Sequence, residues 1–229
     1  MAKSSAEKHQ DSSREKLIRS AETLFAERGF DGVSVRDIAK AAGVNSALVG
    51  YYFRSKKGLL SEVYRLHCEP LKRERERLLT RFTASPSGFT LEKVIEAFIR
   101  PSLAVSTDKN GRSGFTRLRA ILSAENSTLL DQLVAENFDA SSRMFLEALG
   151  RCLPKLSRID IFWRFHFLLG AIYYTGAGPN RMRTLSAGRC DPSNPDLAAK
   201  HMIPFFAAGF RTSSTHVKSK LAARKSKIG

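Results

Sequence analysis

Between Ser34 and Lys57 the chain reads SVRDIAKAAGVNSALVGYYFRSKK, a run that fits two short helices joined by a tight turn. Ser34 stands where an N-cap belongs, and Asp37 follows three residues later, a near match to the reciprocal capping box. Ile38 and Ala39 come next on the inward face, and Ala39 is small enough for a second helix to cross closely. Gly43 supplies the left-handed conformation that ends a helix without a Cβ penalty. Asn45 or Ser46 caps the following helix, and Val49 with Phe53 gives that helix an apolar stripe. A small residue, a glycine four later and an apolar residue six after that form the pattern of a helix-turn-helix. Alone, the same pattern also describes a plain core hairpin.

The flanks separate these readings. A preceding helix from Arg14 to Arg28 ends in AERGF and leads into DGVSVRDIA, and the second motif helix runs into YYFRSKKGLL. Together, REKLIRSAETLFAERGFDGVSVRDIAKAAGVNSALVGYYFRSKKGLLSEVY resembles the DNA-binding domain of TetR-family transcriptional regulators nearly end to end, over roughly the first quarter of the chain. The resemblance implies an all-α protein whose second motif helix lies in the major groove of double-stranded DNA. A homodimer would set two such helices roughly 34–36 Å apart, so the operator would be palindromic.

Contacts to DNA then divide by role. Ser34 offers a hydroxyl and helix N-terminal amides to phosphate, and Lys56 is placed to do the same, with Lys57 a weaker candidate. Tyr51 and Tyr52 can hydrogen-bond phosphate while stacking on sugar, or Tyr52 packs inside. Arg36 projects from the first turn of its helix toward guanine, unless Asp37 or Asp31 holds it in a salt bridge. Asn45, Ser46 and Ala47 sit at the start of the recognition helix, within reach of base edges, Ala47 offering a methyl to thymine. Gly50 departs from the family pattern, which places a tyrosine or other larger residue there. A glycine costs the helix about 0.5–1 kcal/mol, so either the backbone approaches DNA closely or specificity has moved to neighbouring positions.

Net charge is +16, which favours a polyanionic partner. The charge is dispersed: residues 1–60 hold a surplus of only four cations, and the segment after Phe210 is basic without any acid. Charge supports nucleic-acid binding and the motif locates it. The chain contains no nucleophile elbow, zinc-binding HExxH, P-loop or dinucleotide-binding glycines, so neither an enzyme nor a cofactor or metal site is expected. No run of eighteen apolar residues suggests a membrane span, and no apolar leader follows Met1. Three well-separated cysteines fit reduced thiols in the cytoplasm.

Four regions are expected. Residues 1–13 read as a disordered arm, 14–57 as the helix-turn-helix domain, 58–211 as a helical ligand-binding and dimerisation domain, and 212–229 as a disordered basic tail. Helix 1 would span about Ser13 to Arg28. A helix beginning after the cap Ser55 should be kinked or interrupted at Pro70, and the alternating run Lys72 to Arg77 reads as a solvated face. From Thr90 the pattern is helical, with breaks at STDKNGRSG and Pro154 and a long loop before Pro195. SRIDIFWRFHFLLGAIYYTGAG and PDLAAKHMIPFFAAGFR are apolar nearly all round. Phe162, Phe165, Leu169 and Ile172 would face inward. Gly170, Tyr174, His201, Phe205 and Ala208 would face either a buried hairpin or a two-fold interface, and the family resemblance implies the interface.

The same resemblance implies a small-molecule pocket in the second half and release from DNA on ligand binding, as for a repressor. Its wall residues would include Phe98, Phe115, Leu118, Leu122, Phe138 and Met144, with Trp163 and Phe167 across from them. Arg117, Arg119, Arg143 or Arg164 would meet a charged head group. FWRFHFLLGAIYYTGAG with MIPFFAAGFR is similar to the fatty-acid-responsive branch represented by PsrA, which implies a long apolar ligand such as a fatty acid or acyl-CoA. The competing reading is a ligand-independent, charge-driven architectural DNA-binding protein.

Overall fold

The computed structural model describes residues 2–84, 88–107, 112–125, 127–177 and 180–213, and all regular elements among them are helices. In chain order these are α1 (Ala2–Arg28), α2 (Val35–Ala42), α3 (Ala47–Phe53), α4 (Lys56–Thr83), α5 (Leu91–Thr107), α6 (Arg112–Glu125), α7 (Ser127–Cys152), α8 (Arg158–Ala177), α9 (Asn180–Leu185) and α10 (Pro195–Arg211).

Several expected boundaries move. The arm expected over residues 1–13 is helical from Ala2 onward. No proline or glycine lies in residues 2–13, and extending a helix already nucleated needs only one more hydrogen bond per residue. Pro70 lies inside α4 without ending it. The lost hydrogen bond is offset by burial on both sides, from Leu59, Leu60, Val63, Tyr64 and Cys68 before it to Arg75 and Leu79 after it. A short α9 occupies part of the expected loop before Pro195. The basic tail, apart from residues 212 and 213, lies outside the described residues.

Packing divides the chain differently from the boundary at residue 57. One core joins Leu17, Ala21 and Phe25 of α1, Ile38 of α2, Val49 and Phe53 of α3 and the first half of α4 to Phe115, Leu118 and Leu122 of α6 and Leu129 and Leu133 of α7. The second core gathers Leu79 with residues of α5, the last half of α7, α8 and α10, including Phe98, Phe145, Phe165 and Phe210. Each fully buried side chain of this size contributes about 1.5–3 kcal/mol through removal from water. The division thus falls partway along α4, which belongs to both cores. The helix-turn-helix shares its interior with α6 and α7.

Candidate nucleic-acid interface and ligand pocket

Local chemistry fixes the helix-turn-helix. The Ser34 hydroxyl accepts from the Asp37 amide at 3.2 Å while the Asp37 carboxylate accepts from the Ser34 amide at 2.9 Å, a complete capping box. Hydrogen bonds from Ser34 hold the Asp37 carboxyl below its usual value. At the other end Gly43 is left-handed (φ 66°). The Val44 amide reaches back to Ala39 O at 3.0 Å and the Gly43 amide to Lys40 O at 3.2 Å, which satisfies two helix-end carbonyls. Of the two candidate caps for α3, Asn45 makes the side-chain bond, accepting from the Ala47 amide at 2.8 Å, and Ser46 makes none.

Buried Val49 and Phe53 turn the opposite face of α3 outward. Asn45, Ser46, Ala47, Gly50, Tyr51 and Arg54 are exposed. Tyr52 leans on the core, with Tyr51 edge-on to it at 5.0 Å, so of the two tyrosines Tyr51 is the one presented. Arg36 is exposed, and the neighbouring Asp37 carboxylate is engaged by Ser34. Lys56 departs from expectation. Its ammonium donates to Phe30 O at 2.9 Å and Val33 O at 3.0 Å and sits 4.2 Å over the Phe30 ring. These contacts of the half-buried ammonium pin the α1–α2 loop. Lys57 is exposed but bonded to Gln132 Oε1 at 2.8 Å. Arg54 was not among the expected contacts, yet it is exposed and holds a positive φ of 65° at the end of α3. No sequence rule signals that conformation in an arginine.

A cavity of about 570 Å³ opens where the two cores meet. Phe98, Phe115 and Phe138 line it as expected, together with Leu71, Phe165 and Ile172. The other expected wall residues lie elsewhere. Leu118 and Leu122 are fully buried in the core shared with the helix-turn-helix. Met144 is 42% exposed, and Trp163 and Phe167 are each 58% exposed. The buried face of α8 is Ile161, Phe165 and Leu168; Leu169, expected inside, borders the cavity while 41% exposed, and Phe162, also expected inside, turns out. With apolar residues on every side, periodicity could not choose the face.

The cavity also holds polar groups that a hydropathy reading misses. Arg75, inside the run expected to be solvated, is 6% exposed. It donates to Ser102 Oγ through Nη2 at 2.6 Å and stacks 3.8 Å from the Phe98 ring centroid. The signal was present: Arg75 follows Cys68 by seven and precedes Leu79 by four, on the buried stripe. Of the four arginines expected at a head group, Arg119 lines the cavity. Arg164 instead holds Phe210 O at 2.7 Å, Arg143 pairs with Asp139 at 3.4 Å, and Arg117 is exposed. Burial pushes the Cys68 thiol up to about 12, so it stays neutral.

One wall of the cavity packs directly against the DNA-binding head. His67 lines the cavity, stacks on Phe115 at 4.4 Å and meets Glu22 of α1 at 2.8 Å. Tyr64 packs edge-on against the same Phe115 at 4.8 Å. Glu125, at the end of α6, accepts from the Phe30 amide at 3.1 Å just beyond α1.

The outer faces of α8 and α10 carry Ile159, Phe162, Trp163, Phe167, Tyr174 and Phe205, the last 73% exposed. Gly170, His201 and Ala208 are exposed as well, and Gly170 also borders the cavity. Trp163 and Phe167, expected as ligand contacts, therefore lie with the residues expected at a two-fold interface.

Comparison with known proteins matches two stretches of the chain. Residues 17–63 match "Bacterial regulatory proteins, tetR family", and residues 96–209 match "Tetracyclin repressor-like, C-terminal domain". The chain is 42% identical over 76 residues to the probable HTH-type transcriptional regulator YttP of Bacillus subtilis, a match spanning 31% of this chain and 37% of that one. It is 29% identical over 157 residues to the HTH-type transcriptional repressor KstR2 of Rhodococcus jostii, spanning 68% and 74%. The fold is shared with the fatty acid degradation regulator FadR of Bacillus halodurans (TM-score 0.57, 16% identity, covering 88% of this chain and 97% of that one). Among the described residues no helix is long and apolar enough to cross a membrane. With the amino-terminal match laid over the capped helix-turn-helix and the carboxy-terminal one over the helices around the cavity, the chain belongs to the TetR family of DNA-binding transcriptional regulators, which are not enzymes.

Proposed function

We propose that this protein is a ligand-responsive repressor acting in the cytoplasm, which binds a palindromic operator as a homodimer and leaves it when a small apolar molecule enters the cavity. The observation that carries this reading is the common wall of cavity and head: Phe115 and His67 face the cavity while His67 holds Glu22 of α1. A ligand moves a two-state equilibrium only by binding one state better than the other. An occupant pressing on Phe115 and His67 acts on the seat of the DNA-binding head, so it favours a state in which the recognition helices no longer match successive grooves. The exposed aromatic band on α8 and α10 supports dimerisation, since contiguous apolar surface on a monomer marks an interaction site. Base contacts fall to Arg36, Asn45, Ser46, Ala47, Gly50 and Tyr51, and phosphate contacts to Ser34 and Arg54. The apolar walls, with the resemblance of α8 and α10 to a fatty-acid-responsive branch, favour a fatty acid or acyl thioester as ligand.

Selection of bound DNA from random duplex, repeated with acyl compounds present, tests this reading. The expected product is an inverted repeat with half-sites about one helical turn apart, lost on ligand addition. Binding of all duplexes within about tenfold of one another, with a steep salt dependence, would instead identify a charge-driven architectural protein.

A further inference from the structure

Arg75 is buried at the cavity wall, and among the described residues no carboxylate is paired with it. Its hydrogen-bond acceptor is Ser102 Oγ, which takes both Nε at 3.3 Å and Nη2 at 2.6 Å. That oxygen in turn donates to Phe98 O, so it remains a neutral hydroxyl. The rest of the guanidinium lies between Phe98 and Phe138, 3.8 and 5.6 Å from their centroids. A second cation, Arg119, borders the same cavity with its Nε buried and lacking a hydrogen-bond partner, 5.7 Å from the Tyr173 ring. Asp139, the acid on the wall, is exposed and paired with Arg143. Burial first, and then the charge of Arg119, push Arg75 down to about 9. It therefore keeps its proton at neutral pH.

Burying a cation without a counter-ion is costly, and here buried Arg75 shares its cavity with a second, half-buried guanidinium, that of Arg119. The charge of an arriving ligand would relieve that cost. We propose that the cavity takes a free organic carboxylate, its head group between Arg75 and Arg119 and its apolar body along Phe98, Phe115, Phe138 and Phe165. The planar guanidinium fork suits a carboxylate. The cavity, at about 570 Å³, is of the size of small-molecule sites, roughly 300–1,000 Å³. A thioester has no carboxylate at the head of its acyl chain, so it would leave the two guanidinium groups without a counter-ion. This assignment rests on the proposed ligand-binding role and narrows it to free acids.

Calorimetric titration of the full chain with octanoate, dodecanoate and hexadecanoate, 1-dodecanol and dodecanoyl-CoA tests the assignment. At least one carboxylate should bind, and dodecanoate about tenfold to a hundredfold more tightly than the alcohol, the range expected for a hydrogen-bonded charge pair. Arg75→Met keeps an unbranched apolar stem and removes the buried charge, so the variant should remain folded by circular dichroism and lose the preference for acid over alcohol. Arg75→Lys should retain part of it. No binding by any of the acids, equal binding of acid and alcohol, tighter binding of the thioester, or an unchanged preference in Arg75→Met would each overturn the proposal. Operator release, followed separately by fluorescence anisotropy, keeps the two readings apart. Acid binding without release refutes the repressor switch alone, and release by the alcohol but not the acid refutes the carboxylate assignment alone.

Discussion

The two cores of this molecule are built on different principles. The core around the helix-turn-helix is specified by local devices. A capping box, a left-handed glycine, an asparagine cap and a two-residue stripe all act within a few residues of one another, and they agree with the packing that follows. The core around α5, α8 and α10 has capped helices as well, with Thr90, Ser157 and Asn194 accepting from the Lys93, Asp160 and Leu197 amides, but a cap fixes where a helix starts and not which face turns in. Its helices are apolar on several faces, three of the long helices carry internal prolines, and side chains as large as Trp163 and Phe205 remain outside. The first region is set largely by residues a turn apart, although it shares its interior with α6 and α7, whereas the second leaves large apolar side chains exposed on α8 and α10. Differences in legibility follow from that contrast.

The strongest way to break the comparison is Leu122→Ala. Leu122 belongs to the body by sequence but is fully buried in the core of the head. Its truncation should cost about 2–5 kcal/mol and lower hydrogen-exchange protection at Leu17 and Phe25 of α1 together with that of α6. Protection in α1 unchanged beside a destabilised α6 would make the head an autonomous domain. Next in size is the outer face. Trp163→Glu with Phe205→Glu should weaken self-association by about 2 kcal/mol or more, as expected for aromatic anchors at an interface, seen as monomer by sedimentation at micromolar concentration. An intact dimer would move the interface elsewhere. Smallest is Gly50→Ala. A Cβ there meets nothing within 4 Å, so the helix should gain about 0.5–1 kcal/mol, measured as a higher unfolding midpoint. If operator affinity falls in the same variant, the Gly50 backbone approaches DNA; if it holds, specificity rests on Asn45, Ser46 and Tyr51.

In the head, Ser34, Gly43, Val49 and Phe53 could be assigned from sequence because each responds to neighbours a turn away. Lys56 could not, since its acceptors, the carbonyls of Phe30 and Val33, come from a loop more than twenty residues distant. Arg75 was obscured by its company: flanked by Glu74 and Glu76 it reads as one charge among many, although its spacing from Cys68 and Leu79 places it inside. Trp163 and Phe167, expected at the ligand, lie exposed outside the cavity, because residue type distinguishes apolar from polar but cannot choose between two apolar faces. The cavity itself is long-range by nature, made by α4, α5, α6, α7 and α8 together.

Because α4 runs unbroken from Lys56 to Thr83, the proposed switch would use it as a lever with its fulcrum beside the cavity. From Arg75 back to Lys56 the helix rises about 28 Å, so a tilt of about 5° swings its far end by about 2.5 Å. Two protomers tilting in opposite senses would change the span between reading heads by about 5 Å, a sizeable fraction of the roughly 34 Å that separates neighbouring grooves on one side of the duplex. Under the proposed switch, a tilt of a few degrees would thus be large enough to put two paired heads out of step with a palindromic site.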